Sequence, residues 1–392
     1  MLPFEGITVV ALEQAVAAPF ATRQLADLGA RVIKIERPPA GDFARRYDET
    51  VNGLSSHFVW LNRSKESLTL DLKHESARAA LRRLLAQADV FIQNLAPGAV
   101  ARLGFEASAL RAEYPRLIVC EISGYGATGP YRDKKAYDLL VQCETGLVSV
   151  TGSADEPAKA GISVADIAAG MYAYSGILTA LYQREHSGVG AALEVSLFEA
   201  LGEWMGYPAY YAAYSGTAPP RTGASHATIA PYGSFTAGDG QQVNLGVQNE
   251  REWVAFCELV LQRPALAHDE RFATNSARVA HRPQLNAEIG AVFAALTGDA
   301  VIERLDQAEI ANARMNTMLE FWNHPQLQAR DRWREVDSPV GPIRALLPAL
   351  TMAGVEPRMG PIPAVGQDTE AILRELGYTP EEIATQRRAG AI

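Results

Sequence analysis

Three cysteines in 392 residues, Cys120, Cys143 and Cys257, are odd in number and far apart. They supply neither a disulfide framework nor a Cys-x-x-Cys pair, and their pattern is that of reduced core thiols in a cytoplasmic protein. The seven histidines include no His-Glu-x-x-His or other short pair, so a catalytic zinc has no ligand set and no metal is expected. There is no glycine-rich turn ending in Gly-Lys-Ser/Thr and no Gly-x-Ser-x-Gly elbow, which excludes a P-loop ATPase and the usual serine hydrolase. A net charge of -9 without long runs of one sign argues against a nucleic-acid or membrane footprint. No apolar stretch reaches the ~20 residues that span a bilayer. The opening MLPFEGITVVALEQ lacks the basic start and apolar core of a signal peptide.

What is present is the composition of an ordinary globular enzyme, 48% hydrophobic and 21% charged, in a chain long enough for two domains. The first 125 or so residues alternate β-branched runs with amphipathic stretches, the pattern of parallel strands joined by crossover helices. Strands are predicted at Ile7–Leu12, Arg31–Glu36, Asp89–Gln93 and Leu117–Ile122, and helices at Pro19–Gly29 and Glu75–Ala88. Ala136–Gly146 and Val164–Gln183 read as buried helices flanking the loop TGSADEPAKAG. Tyr207–Tyr232, rich in Tyr, Pro, Gly and Ala, reads as a linker. A strand at Gly240–Gly246 and helices from Glu250, Arg282 and Gly298 form a smaller lobe, and a terminal helix covers Thr369–Leu376. The division is 1–215 for the large lobe, 216–324 for the small lobe with its linker, and 325–392 returning to the large lobe.

The turn after the first strand, EQAVAAPFA, has no glycine to admit a pyrophosphate, so a dinucleotide is not expected. Arg37, Asn62, Arg63, Lys65 and Asn94 cluster around the predicted strands. Together they suit an anionic ligand carrying phosphates and a flat base.

The segments GITVVALEQAVAAPFATRQLADLGARVIKIERPPAGD, LNRSKESLTLDLK, ADVFIQNLAPGAVARLGF, GYGATGP, AYDLLVQCETG, SADEPAKAG with VADIAAGMYA, and APYGSF occur in that order. In this series the chain resembles the family III CoA-transferases, the CaiB/BaiF group, which also contains 2-methylacyl-CoA racemases. The resemblance implies an α/β fold: a Rossmann-like large lobe built from both chain ends, a smaller α+β lobe, and an interlocked homodimer. It implies that Val16 and Ala17 line a CoA site, that Arg37 and Lys73 meet its nucleotide end, and that Leu70, Leu72, Asn94, Leu95, Arg102 and Leu103 surround the rest. Asp155 occupies the nucleophile's position, although Glu156 stands where the family usually has glycine. By itself, Ser-Ala-Asp-Glu-Pro is simply a good turn sequence.

A carboxylate suits CoA transfer because it attacks a thioester and is regenerated unchanged. The developing oxyanions need donors, for which glycines of this loop, Gly124 and Gly126 are candidates. Racemases of the family keep a histidine where this chain has Tyr137, working with an aspartate equivalent to Asp166. A phenol titrating near ~10 is a poor neutral-pH base beside imidazole at ~6.5. Transfer is therefore favoured over racemisation, with Asp138 and Asp166 in supporting or helix-capping roles. A CoA-thioester-binding protein without turnover is the third alternative, disfavoured by the presence of Asp155. The expected partners are an acyl-CoA donor, succinyl-CoA first, and a short dicarboxylic acid such as itaconate, mesaconate or citramalate. CoA is a substrate, and no cofactor is implied. Arg45, Arg46 and Arg221 are candidates for a distal carboxylate, with Tyr137, His226, Ile229 and Tyr232 near the acyl group.

Overall fold

The computed structural model describes residues 1–392. They form two compact units: Met1–Leu147 with Ala160–Tyr207 and Leu327–Ile392, and Val148–Lys159 with Pro208–Gln326. Two differences from the sequence division stand out. The loop 148–159 belongs to the second unit, and Gly206–Ser215 is helical rather than a linker. GYPAYYAAYS has no polar face, so helical periodicity left no mark on it.

The first unit is built on a six-stranded sheet. Its strands are β1 (Thr8–Leu12), β2 (Arg31–Glu36), β3 (Lys65–Thr69), β4 (Val90–Gln93), β5 (Ile118–Ser123) and β6 (Ala192–Ser196). The order is β3-β2-β1-β4-β5-β6, with every neighbouring pair parallel. The four strands legible in sequence are the central ones, covered on both faces and therefore near-continuous apolar runs. The two missed strands, KESLT and ALEVS, are the edges, where polar residues are tolerated.

Side chains alternate across the sheet. Val9, Ala11, Val32 and Ile92 face α1 (Ala17–Asp27) and the long helix Val164–Ser187. Val10, Ile33, Leu68 and Phe91 face α2 (Glu75–Leu85), where Ala80, Leu81, Leu84 and Leu85 are buried as the helical spacing requires. Val164–Ser187, at 24 residues, is one helix long and apolar enough to cross a membrane, contrary to the sequence reading. Here it packs on α1 so closely that a Cβ at Gly170 would lie 2.6 Å from the Ala17 carbonyl oxygen. The chain's end returns to β3: the Ser67 amide donates to Asp368 at 2.8 Å and the Asp71 amide to the Ala391 carbonyl at 2.8 Å.

Asn62, Arg63 and Lys65 are not ligand-facing. Asn62 and Arg63 lie just before β3 and Lys65 opens it, and all three are buried. Lys65 Nζ binds Glu13 at 2.7 Å and Arg63 chelates Asp27 at 2.8 and 2.7 Å. Lys34 joins this interior network through Asp42 at 2.9 Å. Such charges are tolerated inside because each has an opposite partner and further hydrogen bonds. Of the cysteines, Cys120 and Cys257 are buried, and burial pushes both thiols up to about 12. Cys143 is exposed, so it is not a core thiol.

The second unit has an antiparallel sheet of β7 (Tyr232–Thr236), β8 (Gln242–Gly246) and β9 (Ala311–Arg314). Its core contains Trp253, Phe256, Phe272, Leu285, Ile289 and Phe293.

Candidate active site

In the first unit the chain winds outward in both directions from β1 and β4, making their junction a topological switch point. In open parallel sheets this is where ligands bind, beyond the strands' carboxyl ends. Asn94, just after β4, donates from Nδ2 to the Gln14 carbonyl and accepts from the Gln14 amide, both at 2.8 Å. The next residue, Ala15, takes φ 59° and donates to Asp42 Oδ1 at 3.2 Å. Val16 and Ala17 follow, buried at the start of α1.

The other residues predicted at this edge separate into three exposed cations and four leucines packed in or against the core. Arg37, Lys73 and Arg102 are exposed. Arg37 keeps two-thirds of its side chain open, 3.8 Å from Asp71. Leu70 and Leu72 are buried in one cluster with Val100 and Phe105, against which Leu95 and Leu103 are partly buried. The leucines therefore belong to the hydrophobic core or pack directly on it. A cleft of about 390 Å³ opens at the ends of β4 and β5. Glu106, Glu121, Asp133 and Glu194 line it beside a single cation, Arg132, which pairs with Asp133 at 2.9 Å, so the net negative lining disfavours an anion there.

Asp155 lies in the second unit, exposed on a hairpin closed by a Gly152–Pro157 bridge and by the Ala158 amide on the Thr151 carbonyl at 2.8 Å. Gly152 takes φ 114°, and a Cβ there would stand 2.3 Å from the Glu156 carbonyl oxygen. The loop's requirement for glycine thus falls on Gly152. Glu156 is not among the residues with positive φ, and its amide donates to Ser153 Oγ at 3.0 Å. The departure from the family's glycine at 156 is accommodated without backbone strain. The Asp155 carboxylate has neither ion pair nor hydrogen bond.

Several expected ligand groups are otherwise engaged. Arg45 is paired with Glu36 at 2.6 Å and lies 3.7 Å over the Phe58 ring. Burial would raise the Glu36 carboxyl, but Arg45 and Lys34 pull it down to about 2. Arg221 donates to the carbonyls of Ser149, Ser153 and Ala154. The Gly126 amide is held by Ser123 Oγ at 2.9 Å, so it is not an uncommitted oxyanion donor. Arg46 is exposed and makes no ion pair. His226 stacks on Tyr232 with ring centroids 5.3 Å apart, and its Nδ1 accepts from the Thr228 amide at 3.2 Å. Ile229, half-buried on the same segment, has its carbonyl held by Arg282 at 3.2 Å.

Tyr137 is 68% exposed and precedes the helix Asp138–Glu144. Asp138 accepts from the Ala165 amide at 2.8 Å, capping the long helix Val164–Ser187, and from Gln142 Nε2 at 2.7 Å. Gln142, fully buried, accepts from the Ala160 amide at 2.9 Å. This residue was missed in sequence, although a glutamine four residues after Asp138 on an apolar helix face is the kind of signal that marks a buried polar link. Burial, then Asp138, pushes Asp166 up to about 7. Burial, then Asp42, Asp166 and Tyr137, pushes the Tyr47 hydroxyl up to about 12.

Comparison with known proteins agrees with this architecture. The model of CoA-transferase family III matches residues 4–369. The succinate–glutarate CoA-transferase of Agrobacterium fabrum is 34% identical over 393 residues, covering 98% of each chain. The succinyl-CoA–D-citramalate CoA-transferase of Chloroflexus aurantiacus is 32% identical, covering 97% of this chain and 96% of its own. A CaiB/BaiF family protein from Brucella suis superposes with a TM-score of 0.84 at 33% identity, covering 96% of this chain and 99% of that one. With the fold and a family match along nearly the whole length in agreement, this chain belongs to CoA-transferase family III.

Proposed function

We propose that the protein moves CoA from an acyl-CoA, succinyl-CoA first, to a short dicarboxylic acid such as itaconate, mesaconate or citramalate, with Asp155 as the covalent carrier. The observation that carries this reading is the exposed, unpaired carboxylate of Asp155 on a loop closed by its own backbone. A carboxylate without a cation or donor keeps its lone pairs for attack. The names of relatives acting on succinate, glutarate and D-citramalate support the substrate class.

In this mechanism Asp155 attacks the donor thioester carbonyl. The C–S bond breaks, leaving an aspartyl acyl anhydride and CoA thiolate. The thiolate attacks the aspartyl carbonyl and expels the donor carboxylate, so that Asp155 carries CoA as a thioester. The acceptor carboxylate attacks that thioester, forming a second anhydride and releasing the thiolate. The thiolate then takes the acceptor's acyl group and frees Asp155. No net proton is consumed. The nucleotide end of CoA lies against Arg37 and Lys73, with Arg102 beside the remainder, and Val16, Ala17 and Asn94 border its path. Of the arginines considered for the distal carboxylate, Arg46 alone has no internal partner, and it takes that role. Tyr137 and His226 border the acyl group.

The working unit is a homodimer, interlocked as the resemblance implies. Tyr210 and Tyr214 are 71% and 86% exposed on helix Gly206–Ser215, an aromatic face suited to cover by a second copy. The test is incubation with succinyl-CoA and a panel of itaconate, mesaconate, citramalate, glutarate, oxalate and carnitine, following new CoA esters by mass spectrometry. An Asp155-dependent ester supports transfer. No ester, together with α-deuteration of a 2-methylacyl-CoA in deuterated water, would replace it with racemisation.

A further inference from the structure

The sequence offers Arg221 as a ligand for substrate carboxylate, yet all three nitrogens of its guanidinium face protein carbonyls. Nε donates to Ser153 at 2.9 Å, Nη1 to Ser149 at 3.2 Å and Nη2 to Ala154 at 2.9 Å. These acceptors lie on the segment immediately before Asp155. Two residues further along, the Gly223 amide donates to the Gly152 carbonyl at 2.8 Å. The segment bearing Arg221 is itself held to the second unit: the Arg282 guanidinium donates to the His226 carbonyl at 2.8 Å. A continuous set of hydrogen bonds therefore runs from helix Arg282–Phe293 through 221–226 to the loop.

We propose that Arg221 is a positioning residue of the transfer reaction: it holds the carbonyls of Ser149, Ser153 and Ala154 in one orientation and so fixes the direction of the Asp155 carboxylate. The inference rests on Asp155 being the nucleophile. A planar guanidinium suits the task because its donors diverge in fixed directions within one plane, whereas an ammonium is a point donor on a flexible stem. Proximity contributes to catalysis only when the reacting atoms are aligned, and a misplacement of about 1 Å costs about 10²-fold in rate. Holding the loop from behind leaves the carboxylate itself unpaired.

The experiment compares Arg221→Ala, Arg221→Lys and Asp155→Ala with the parent protein, using succinyl-CoA and glutarate, each with CoA affinity measured by calorimetry. Arg221→Ala is expected to lower kcat by about 10²-fold while leaving acceptor KM and CoA affinity unchanged. Added guanidinium ion is expected to restore part of kcat, and Arg221→Lys to remain impaired. Hydrogen exchange at the Ala158 amide, which closes the hairpin, is expected to accelerate in both Arg221 variants. A normal kcat with a raised KM for dicarboxylic but not monocarboxylic acceptors would overturn the proposal and return Arg221 to substrate binding. So would unchanged Ala158 exchange, which can be read even in the milder lysine variant. Full turnover by Asp155→Ala would instead remove the nucleophile assignment, a separate failure.

Discussion

Asn94 binds the backbone of Gln14 twice, giving one hydrogen bond and accepting one, each at 2.8 Å. The pair joins the turns after β1 and β4 across the switch point, although 80 residues separate them in sequence. Replacing Asn94 with Ala leaves the Gln14 amide and carbonyl without these partners. The expected result is a loss of about 1–3 kcal/mol in denaturant stability and about tenfold weaker CoA binding by calorimetry, where tenfold corresponds to about 1.4 kcal/mol. Unchanged CoA affinity would remove Asn94 from the site.

Asp166 gives a pH dependence whose sign follows from burial. Burial, and then the charge of Asp138, pushes its carboxyl from the ordinary 3.8 up to about 7. The folded state therefore retains a proton that the unfolded chain loses, and this group's stabilising effect declines as pH rises from about 4 to about 7. Asp166→Asn, which cannot ionise, is expected to melt several degrees above the parent at pH 8, with the difference shrinking toward pH 4. Thermal melts across that range check it; a constant difference would contradict it.

Glu36 acts with the opposite sign. Paired with Arg45 and lying in the field of Lys34, its carboxyl is pulled from 4.5 down to about 2. Its contribution is present above about pH 4.5 and is lost as pH falls toward 2. Glu36→Gln is expected to destabilise the protein at pH 7 and to flatten the acid limb of its stability profile. A parallel profile would show that Glu36 is not responsible.

Arg46 is the exposed arginine of the 3-10 turn Phe43–Arg46. If it holds the distal carboxylate, Arg46→Ala raises KM for dicarboxylic acceptors by about 10–100-fold, the worth of a charge-assisted hydrogen bond. The KM for a monocarboxylic acceptor stays within about twofold. Equal effects on both acids would place Arg46 elsewhere in the reaction.

The central strands, and the helices starting at Glu250 and Gly298, were legible because local chemistry marks them. The helix starts carry side-chain caps, Asn249 on the Glu252 amide and Thr297 on the Ala300 amide. The edge strands were not legible, since the polar residues of KESLT find their partners only in the fold, Lys65 meeting Glu13, 52 residues away, and Ser67 meeting Glu36. The same non-local pairing explains why Arg63 looked like a ligand residue, its partner Asp27 lying 36 positions earlier. Residue type identifies a charge, but only the fold reveals which charge it faces. Arg221 is the sharpest case, a cation whose partners are carbonyls about 70 residues upstream. The position of Asp155 was read from the family pattern, while its dependence on Gly152, and the absence of strain at Glu156, needed the backbone.

The most direct test of the account is to mix the protein with succinyl-CoA in the absence of acceptor, quench, digest and weigh the peptide containing Asp155. The account expects a CoA thioester on Asp155 that disappears when glutarate is added and never forms in Asp155→Ala. No CoA on that peptide, with turnover persisting in Asp155→Ala, would contradict it.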